Sequence, residues 1–89
     1  MDKKEQLTRQ VKTVINILEK VYANEIKKDI LQLIYKRYKN ALEIIENNKD
    51  LNIINIIGGV RAYMDSYNDY ENPLLKELHK AENLLKELL

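Results

Sequence analysis

The segment LTRQVKTVINILEKVY, residues 7–22, shows the organisation of the chain most clearly. Its apolar residues recur at steps of three and four: Leu7, Val11, Val14, Ile15, Leu18, Val21 and Tyr22. This spacing places them along one face of an α-helix, and such a face must be buried against other elements. The segment therefore predicts a helix that packs in a larger assembly of helices.

The same spacing returns further along the chain. The second stripe contains Ile26, Ile30, Ile34, Tyr38, Ala41 and Ile45, and the last contains Leu74, Leu75, Leu78, Ala81, Leu85 and Leu88. We predict helices at about residues 4–22, 25–47, 51–69 and 73–88, with Asn24, Asp50 and Asn72 as N-caps of the last three. Short loops between successive helices favour an antiparallel up-down four-helix bundle, formed as one domain by residues 1–89.

The third segment, LNIINIIGGV at residues 51–60, is the most ambiguous. Its isoleucines favour a strand, but the pairs Ile53-Ile54 and Ile56-Ile57 interrupt strict alternation. Polar or small residues at positions 52, 55, 59, 62, 66 and 69 follow helical steps, so we predict a helix here. The two glycines, Gly58 and Gly59, then serve either a close approach of a neighbouring helix or a local kink.

Composition excludes several classes of protein. With 89 residues, no cysteine and a formal net charge of +1, the chain is predicted to be a single cytoplasmic domain without disulfides and not a general nucleic-acid binder. The first residues lack the apolar core of a signal peptide, and no apolar run approaches the length of a bilayer span, so membrane contact is peripheral at most.

No group of residues predicts catalysis, a cofactor or a metal ion. His79 is the one histidine and has no second histidine or cysteine to join it. The acidic residues Asp65, Asp69 and Glu71 lack the glycine and distal glutamate of a calcium-binding loop, and a solvated helix end explains them better. We therefore predict that the protein is not an enzyme and binds no cofactor.

Two surface features remain as candidate contacts. In YMDSYNDYE, residues 63–71, the rings of Tyr63, Tyr67 and Tyr70 are spaced by three and four, which suits either a partner interface or a cap on the bundle core. Neighbouring basic residues on the last helix, Lys76, His79 and Lys80, complete the candidate partner contacts. The second helix is also basic, at Lys27, Lys28, Lys36, Arg37 and Lys39; this face either meets phosphate groups or, as we prefer, is simply solvated.

The chain resembles the immunity proteins of pediocin-like (class IIa) bacteriocins, particularly the enterocin A immunity group. The segments that resemble them span most of the chain: VINIL at residues 14–18, KNALE at 39–43, ENNK at 46–49, residues 53–63, and NPLLKEL at 72–78. The resemblance implies a cytoplasmic four-helix bundle that protects a lactic acid bacterium from its own bacteriocin. It also implies a partner, the bacteriocin-occupied membrane receptor of the mannose phosphotransferase system, with specificity in the region of residues 63–89.

A helical interaction or regulatory module that self-associates is the alternative. Its sequence signal is a set of apolar residues off the main stripes, Ile17, Leu84 and Leu89, which would form a seam between copies. The expected state is a monomer or a weak dimer.

Overall fold

A computed structural model describes residues 2–24, 29–66 and 73–89. Within these ranges the chain forms α1 (Lys3–Val21), α2 (Asp29–Glu46), a 3-10 helix (Leu51–Ile53), α3 (Gly59–Ser66) and α4 (Pro73–Leu88), and no strand. The prediction of an all-α fold with four α-helices is confirmed. The predicted cap Asn72 lies in residues 67–72, outside the described part of the chain. The predicted cap Asn24 is described, but residues 25–28, which directly follow it, are not.

The first helix follows its sequence pattern closely. Asp2 caps it by accepting a hydrogen bond from the backbone N–H of Glu5 at 2.8 Å. Its buried residues are Leu7, Val11, Val14, Ile15 and Leu18, which are the predicted stripe without its end. Val21 was predicted on the buried face but is 68% exposed, because the helix ends there and leaves this side chain beyond the core.

α1 packs against both α2 and α4, and α3 contacts α2 and α4. The beginning of α1 lies beside the ends of its two neighbours: Lys3 pairs with Glu87 at 3.2 Å, and the Lys4 ammonium donates to Asn48 Oδ1 at 2.7 Å. Further along α1, Gln10 donates to the Glu77 carbonyl at 3.0 Å, and Glu19 accepts from the Tyr35 hydroxyl at 2.6 Å. These contacts show that α1 runs antiparallel to α2 and to α4.

The core is formed by apolar side chains from all four α-helices and from the segment that precedes α3. The largest side chains with less than 2% exposure are Tyr38, Leu7, Leu18, Leu31, Ile34, Ile56, Leu74, Leu78, Leu85, Val11 and Val14. Burial of these side chains supplies the main favourable contribution to folding. One cluster includes all of them, as expected for a single domain of this size.

The third segment differs from its prediction. The chain does not form one helix over residues 51–69; the 3-10 helix, capped by Asp50 as predicted, ends at Ile53, and α3 begins only at Gly59. Between them the backbone is extended at Ile54, and Ile54 and Ile56 are buried while Ile53 and Ile57 are 56% and 40% exposed. Each isoleucine pair is thus divided between core and solvent, which an extended segment achieves by alternation.

Gly58 explains why the helix cannot start earlier. Its φ of +101° is a left-handed backbone conformation that side chains other than glycine rarely adopt. Gly59 follows with an ordinary amount of space, since a Cβ atom built on it would lie 3.7 Å from Glu82 Oε2. Two roles were predicted for the glycine pair, a kink inside a helix and a close contact between helices. The structure shows a different role, since Gly58 forms the turn that leads into α3.

None of the helices within the described ranges is both long and apolar enough to cross a membrane.

Replacing Ile34 with Asp tests the position of the core face of α2. Ile34 is 1% exposed, so the substitution buries an unpaired charge, and we expect a loss of more than about 4 kcal/mol in the free energy of unfolding, enough to unfold a domain of this size. The matched control is Leu33→Asp at the next position, which is 41% exposed and should cost less than about 1 kcal/mol. Equal urea midpoints for the two variants would place the core face elsewhere.

Candidate functional site

A buried carboxylate on α4 holds the beginning of α3. The Glu82 side chain is 7% exposed and is the one charged residue among those the structure describes as buried. Its Oε1 accepts from the Gly58 N–H at 3.1 Å, and its Oε2 accepts from the Val60 N–H at 2.8 Å. We call this arrangement, Glu82 with the N–H groups of Gly58 and Val60, the Glu82 clasp.

The clasp solves a general problem at the start of a helix. The first N–H groups of α3 have no acceptor within the helix, and a buried donor without a partner is costly. A carboxylate accepts these bonds strongly and also carries the charge that a helix N-terminus favours. At eight residues α3 is too short to be stable alone, so this attachment to α4 fixes it in place.

The local sequence favours a different partner for Glu82. Lys86 lies four residues further along α4, a spacing that suits an ion pair between the two side chains, whereas the carboxylate points inward to α3. The position of Glu82 contained the missed signal: it lies four residues after Leu78 and three before Leu85, both fully buried, and therefore on the inner face of α4.

Tyr38 lies near the clasp and is almost completely buried. The side chain is 1% exposed, and its hydroxyl has no hydrogen-bond partner among the described residues. Burial, and secondarily the negative charge of Glu82, raises the pKa of Tyr38 well above its ordinary value. The hydroxyl therefore stays protonated and neutral next to a charged carboxylate.

An open cleft of about 380 Å³ lies where α3 meets α4, on the outer side of the clasp. We call it the α3–α4 cleft; it is lined by Gly58, Val60, Arg61, Met64, His79, Glu82, Asn83 and Lys86. Arg61 and Lys86 contribute positive charge, Val60 and Met64 contribute apolar surface, and Glu82 contributes the one negative charge. The cleft can therefore receive a ligand that combines an anionic group with an apolar one.

The predicted contact residues divide between core and surface. Tyr63 is 2% exposed and belongs to the core, which fits the capping interpretation and not a surface contact. Tyr67 and Tyr70 lie outside the described residues, as do Asp69 and Glu71. The ring of Tyr63, the first tyrosine of the segment, is therefore not available on the surface, because it packs in the core with the apolar stripes.

On α4, the structure places Lys76, His79 and Lys80 on the exposed surface. Only His79 lines the cleft; Lys80 instead lies 3.8 Å from Glu77 on the same helix. Arg61 and Lys86 were not among the predicted contacts, because nothing in the sequence shows that residues 25 positions apart meet across α3 and α4.

The outer face of α2 has mixed charge. The Lys39 ammonium lies 5.4 Å from the centre of the Tyr35 ring, while the Tyr35 hydroxyl donates to Glu19. That hydrogen bond is the main reason that the pKa of Tyr35 is raised. The basic residues Lys27 and Lys28 lie outside the described ranges, so the predicted basic face is represented here by Lys36, Arg37 and Lys39 among acidic neighbours.

Two further expectations concern metals and self-association. Within the described ranges no three histidine, aspartate or glutamate residues are grouped so as to hold a metal ion. Of the residues predicted to form a seam between copies, Ile17 and Leu84 pack against the core and Leu89 is 59% exposed.

The fold and the cleft together define a small all-α protein with a cleft of mixed polarity between α3 and α4. A family profile described as "YeeD uncharacterised protein" matches residues 1–89. A protein of Bacillus subtilis (strain 168), described as "Uncharacterized protein YeeD", is 34% identical over 95 residues, covering 98% of this chain and 93% of that protein. The chain belongs to the YeeD family. No solved structure matches it.

Replacing Glu82 with Gln tests the clasp. The amide keeps the shape of the side chain but has one acceptor oxygen in place of two and no charge, so we expect a loss of about 1–3 kcal/mol in the free energy of unfolding by urea. The matched control is Glu87→Gln, which removes an exposed ion pair with Lys3 and should cost less than about 1 kcal/mol. Equal effects of the two substitutions would contradict a structural role for the clasp.

Replacing Tyr38 with Phe tests the unpartnered hydroxyl. Because this hydroxyl is buried without a hydrogen bond, its removal should raise the free energy of unfolding at pH 7 by about 1–3 kcal/mol. Above about pH 10 the unfolded tyrosine ionises while the folded one stays protonated, so the wild type loses stability that the variant retains. Urea unfolding at pH 7 and pH 10.5 measures both effects, and a large loss at pH 7 would show that the hydroxyl has a partner.

Proposed function

We propose that this protein acts by binding another protein and not by catalysis. The observation that supports this most is the α3–α4 cleft, where charged and apolar side chains of two helices meet on an exposed surface. Protein interfaces combine these two kinds of group, with arginine and methionine enriched in them. The helical core provides the rigid support on which such a surface depends.

The more specific proposal is immunity to a pediocin-like bacteriocin. The chain forms four α-helices, the number that the resemblance implies, and the antiparallel contacts of α1 with α2 and α4 support an up-down-up-down bundle. On this proposal the protein works in the cytoplasm, as a monomer or weak dimer. It binds the bacteriocin-occupied membrane receptor of the mannose phosphotransferase system and thereby stops leakage.

A self-associating helical module is the second candidate. It is supported by exposed apolar side chains in the segment before α3, Ile53 and Ile57, together with Leu89 at the end of the chain. An exposed apolar surface of this kind favours association between copies. Sedimentation equilibrium distinguishes the two candidates, since the second requires a stable dimer at micromolar concentration.

Expression in a bacteriocin-sensitive lactic acid bacterium tests the immunity proposal. Cells that produce the protein are challenged with a panel of pediocin-like peptides, and we expect protection against one or a few of them. Cells that produce the Ile34→Asp variant serve as the control, since an unfolded chain should not protect. Uniform sensitivity with the folded protein present, across a panel that includes every available class IIa peptide, would contradict the proposal.

The same assay tests whether Tyr67 and Tyr70 contact the partner, as the sequence predicts. Replacing Tyr67 and Tyr70 with Ala should reduce protection by at least about tenfold in inhibitory concentration, as expected if these rings provide interface contacts. The urea midpoint of the purified variant is measured in parallel. Equal losses of protection and of stability would instead assign both rings to the core.

A further inference from the structure

We propose that the α3–α4 cleft binds an acidic side chain of a partner protein, with an apolar side chain of the same partner packed beside it. This inference rests on the proposed function, because it takes for granted that the chain works by binding another protein. To the proposed function it adds the location of the contact and the kind of side chain that binds there. The ligand class follows from the charges, the apolar surface and the size of the cleft.

Within the described ranges, Arg61 and Lys86 give the cleft two positive charges against the one negative charge of Glu82. The two ion pairs among the described residues are Lys3 with Glu87 and Lys80 with Glu77, and both lie outside the cleft lining. Arg61 and Lys86 form no ion pair within the described part of the chain, and both are exposed. Two cations that form no ion pair with any described residue, at one cleft, attract an anionic group from outside.

The negative charge in the lining is already engaged. Each oxygen of Glu82 accepts one backbone hydrogen bond, from Gly58 just before α3 and from Val60 within it, and no ion pair among the described residues joins this carboxylate to Arg61 or Lys86. Its charge still lies in the wall of the cleft, where it opposes a second negative charge close by. A singly charged carboxylate held at the rim by Arg61 or Lys86 meets less of this opposition than a phosphate dianion does.

The remaining lining is apolar enough to take a hydrocarbon side chain. Met64 is 37% exposed, so the surface that it offers is open to a ligand. Methionine adapts its shape to different partners, and Val60 adds apolar surface next to it. Nucleic-acid phosphates would leave this surface uncovered, whereas an acidic residue with an apolar neighbour in a polypeptide covers both parts.

The size of the cleft favours side chains over a whole element of structure. A volume of about 380 Å³ is near the lower end of the range for ligand pockets. An α-helix is about 10 Å across with its side chains and does not fit inside such a space. The partner therefore inserts one acidic and one apolar side chain while the rest of its surface lies across α3 and α4.

A peptide titration followed by NMR tests this inference. The probe is the acetylated, amidated tripeptide leucine–glutamate–leucine, and the matched probe has glutamine in place of glutamate. With the full ¹⁵N-labelled chain, we expect shifts of the Gly58, Met64 and Asn83 amide signals that saturate with the acidic peptide. Binding of the glutamine peptide should be at least about fivefold weaker, since it lacks the charge.

Charge-reversal variants identify the residues responsible. The Arg61→Glu/Lys86→Glu double variant should lose binding of the acidic peptide, while the Lys12→Glu/Lys20→Glu variant, with the same change in net charge at exposed positions of α1, should keep it. Equal urea midpoints show that both variants are folded. The inference is overturned if the glutamine peptide binds as well, if both variants lose binding alike, or if inorganic phosphate binds the same residues more tightly.

The protection assay separates this inference from the proposed function. If the Arg61→Glu/Lys86→Glu variant protects as well as the wild type, the cleft is not the contact site although the immunity function stands. If the wild type fails to protect but the acidic peptide binds in the cleft with the expected selectivity, the inference stands and the immunity proposal fails.

Discussion

The hydrogen bonds from the N–H groups of Gly58 and Val60 to the buried carboxylate of Glu82 are the constraint on which the second half of the molecule depends. They join a helix of eight residues to one of sixteen, and a helix as short as α3 has too few internal hydrogen bonds to persist alone. The clasp also accounts for a charge in the core, because the backbone of α3 replaces the water that the carboxylate loses. The position of α3, and with it the shape of the cleft, follows from this attachment.

The rest of the core is built around α1, which packs against both α2 and α4. The contacts of Lys3 and Lys4 tie the start of α1 to the ends of its neighbours, but they are exposed and contribute little to the free energy of folding. The buried leucines, isoleucines and valines contribute most of it. Tyr38 is the exception in that core, since among the described residues its buried hydroxyl has no hydrogen-bond partner and lies near Glu82, the one charged residue that is buried there.

The sequence predicts three of the four α-helices well and for one reason. In α1, α2 and α4 one face is apolar over four or more turns, so the helical period is repeated often enough to be recognised. The third segment lacks this length, and its isoleucines favour a strand while its polar and small positions follow helical steps. What decides between them is the left-handed turn at Gly58, together with the burial of Ile54 and Ile56 against helices distant in sequence. The order of polar and apolar residues within one segment does not contain the information about these distant contacts.

The candidate site was harder to predict than the fold. His79 was recognised as a surface residue, but Arg61 and Lys86 reach the same cleft only because α3 and α4 are held together by Glu82. For Tyr63 the sequence left both a partner contact and a core cap open, and the burial of its ring favours the core. In both cases the deciding factor is which face of a helix meets its neighbour, which depends on contacts between distant residues. A buried acid at a position on the apolar stripe, such as Glu82, was the available sign of a polar contact inside the fold.

Native-state hydrogen exchange at the Val60 amide tests the central claim, that the Glu82 clasp holds α3 on the core, most directly. This N–H is buried and donates to Glu82 Oε2, so its exchange should be slowed by on the order of a thousandfold or more relative to an unstructured chain. The measurement reports on a single hydrogen bond, from the Val60 N–H to Glu82, in the unmodified protein. Exchange at nearly the unstructured rate, while the amides of α1 and α4 remain protected, would show that α3 is not held by the clasp and would contradict the account.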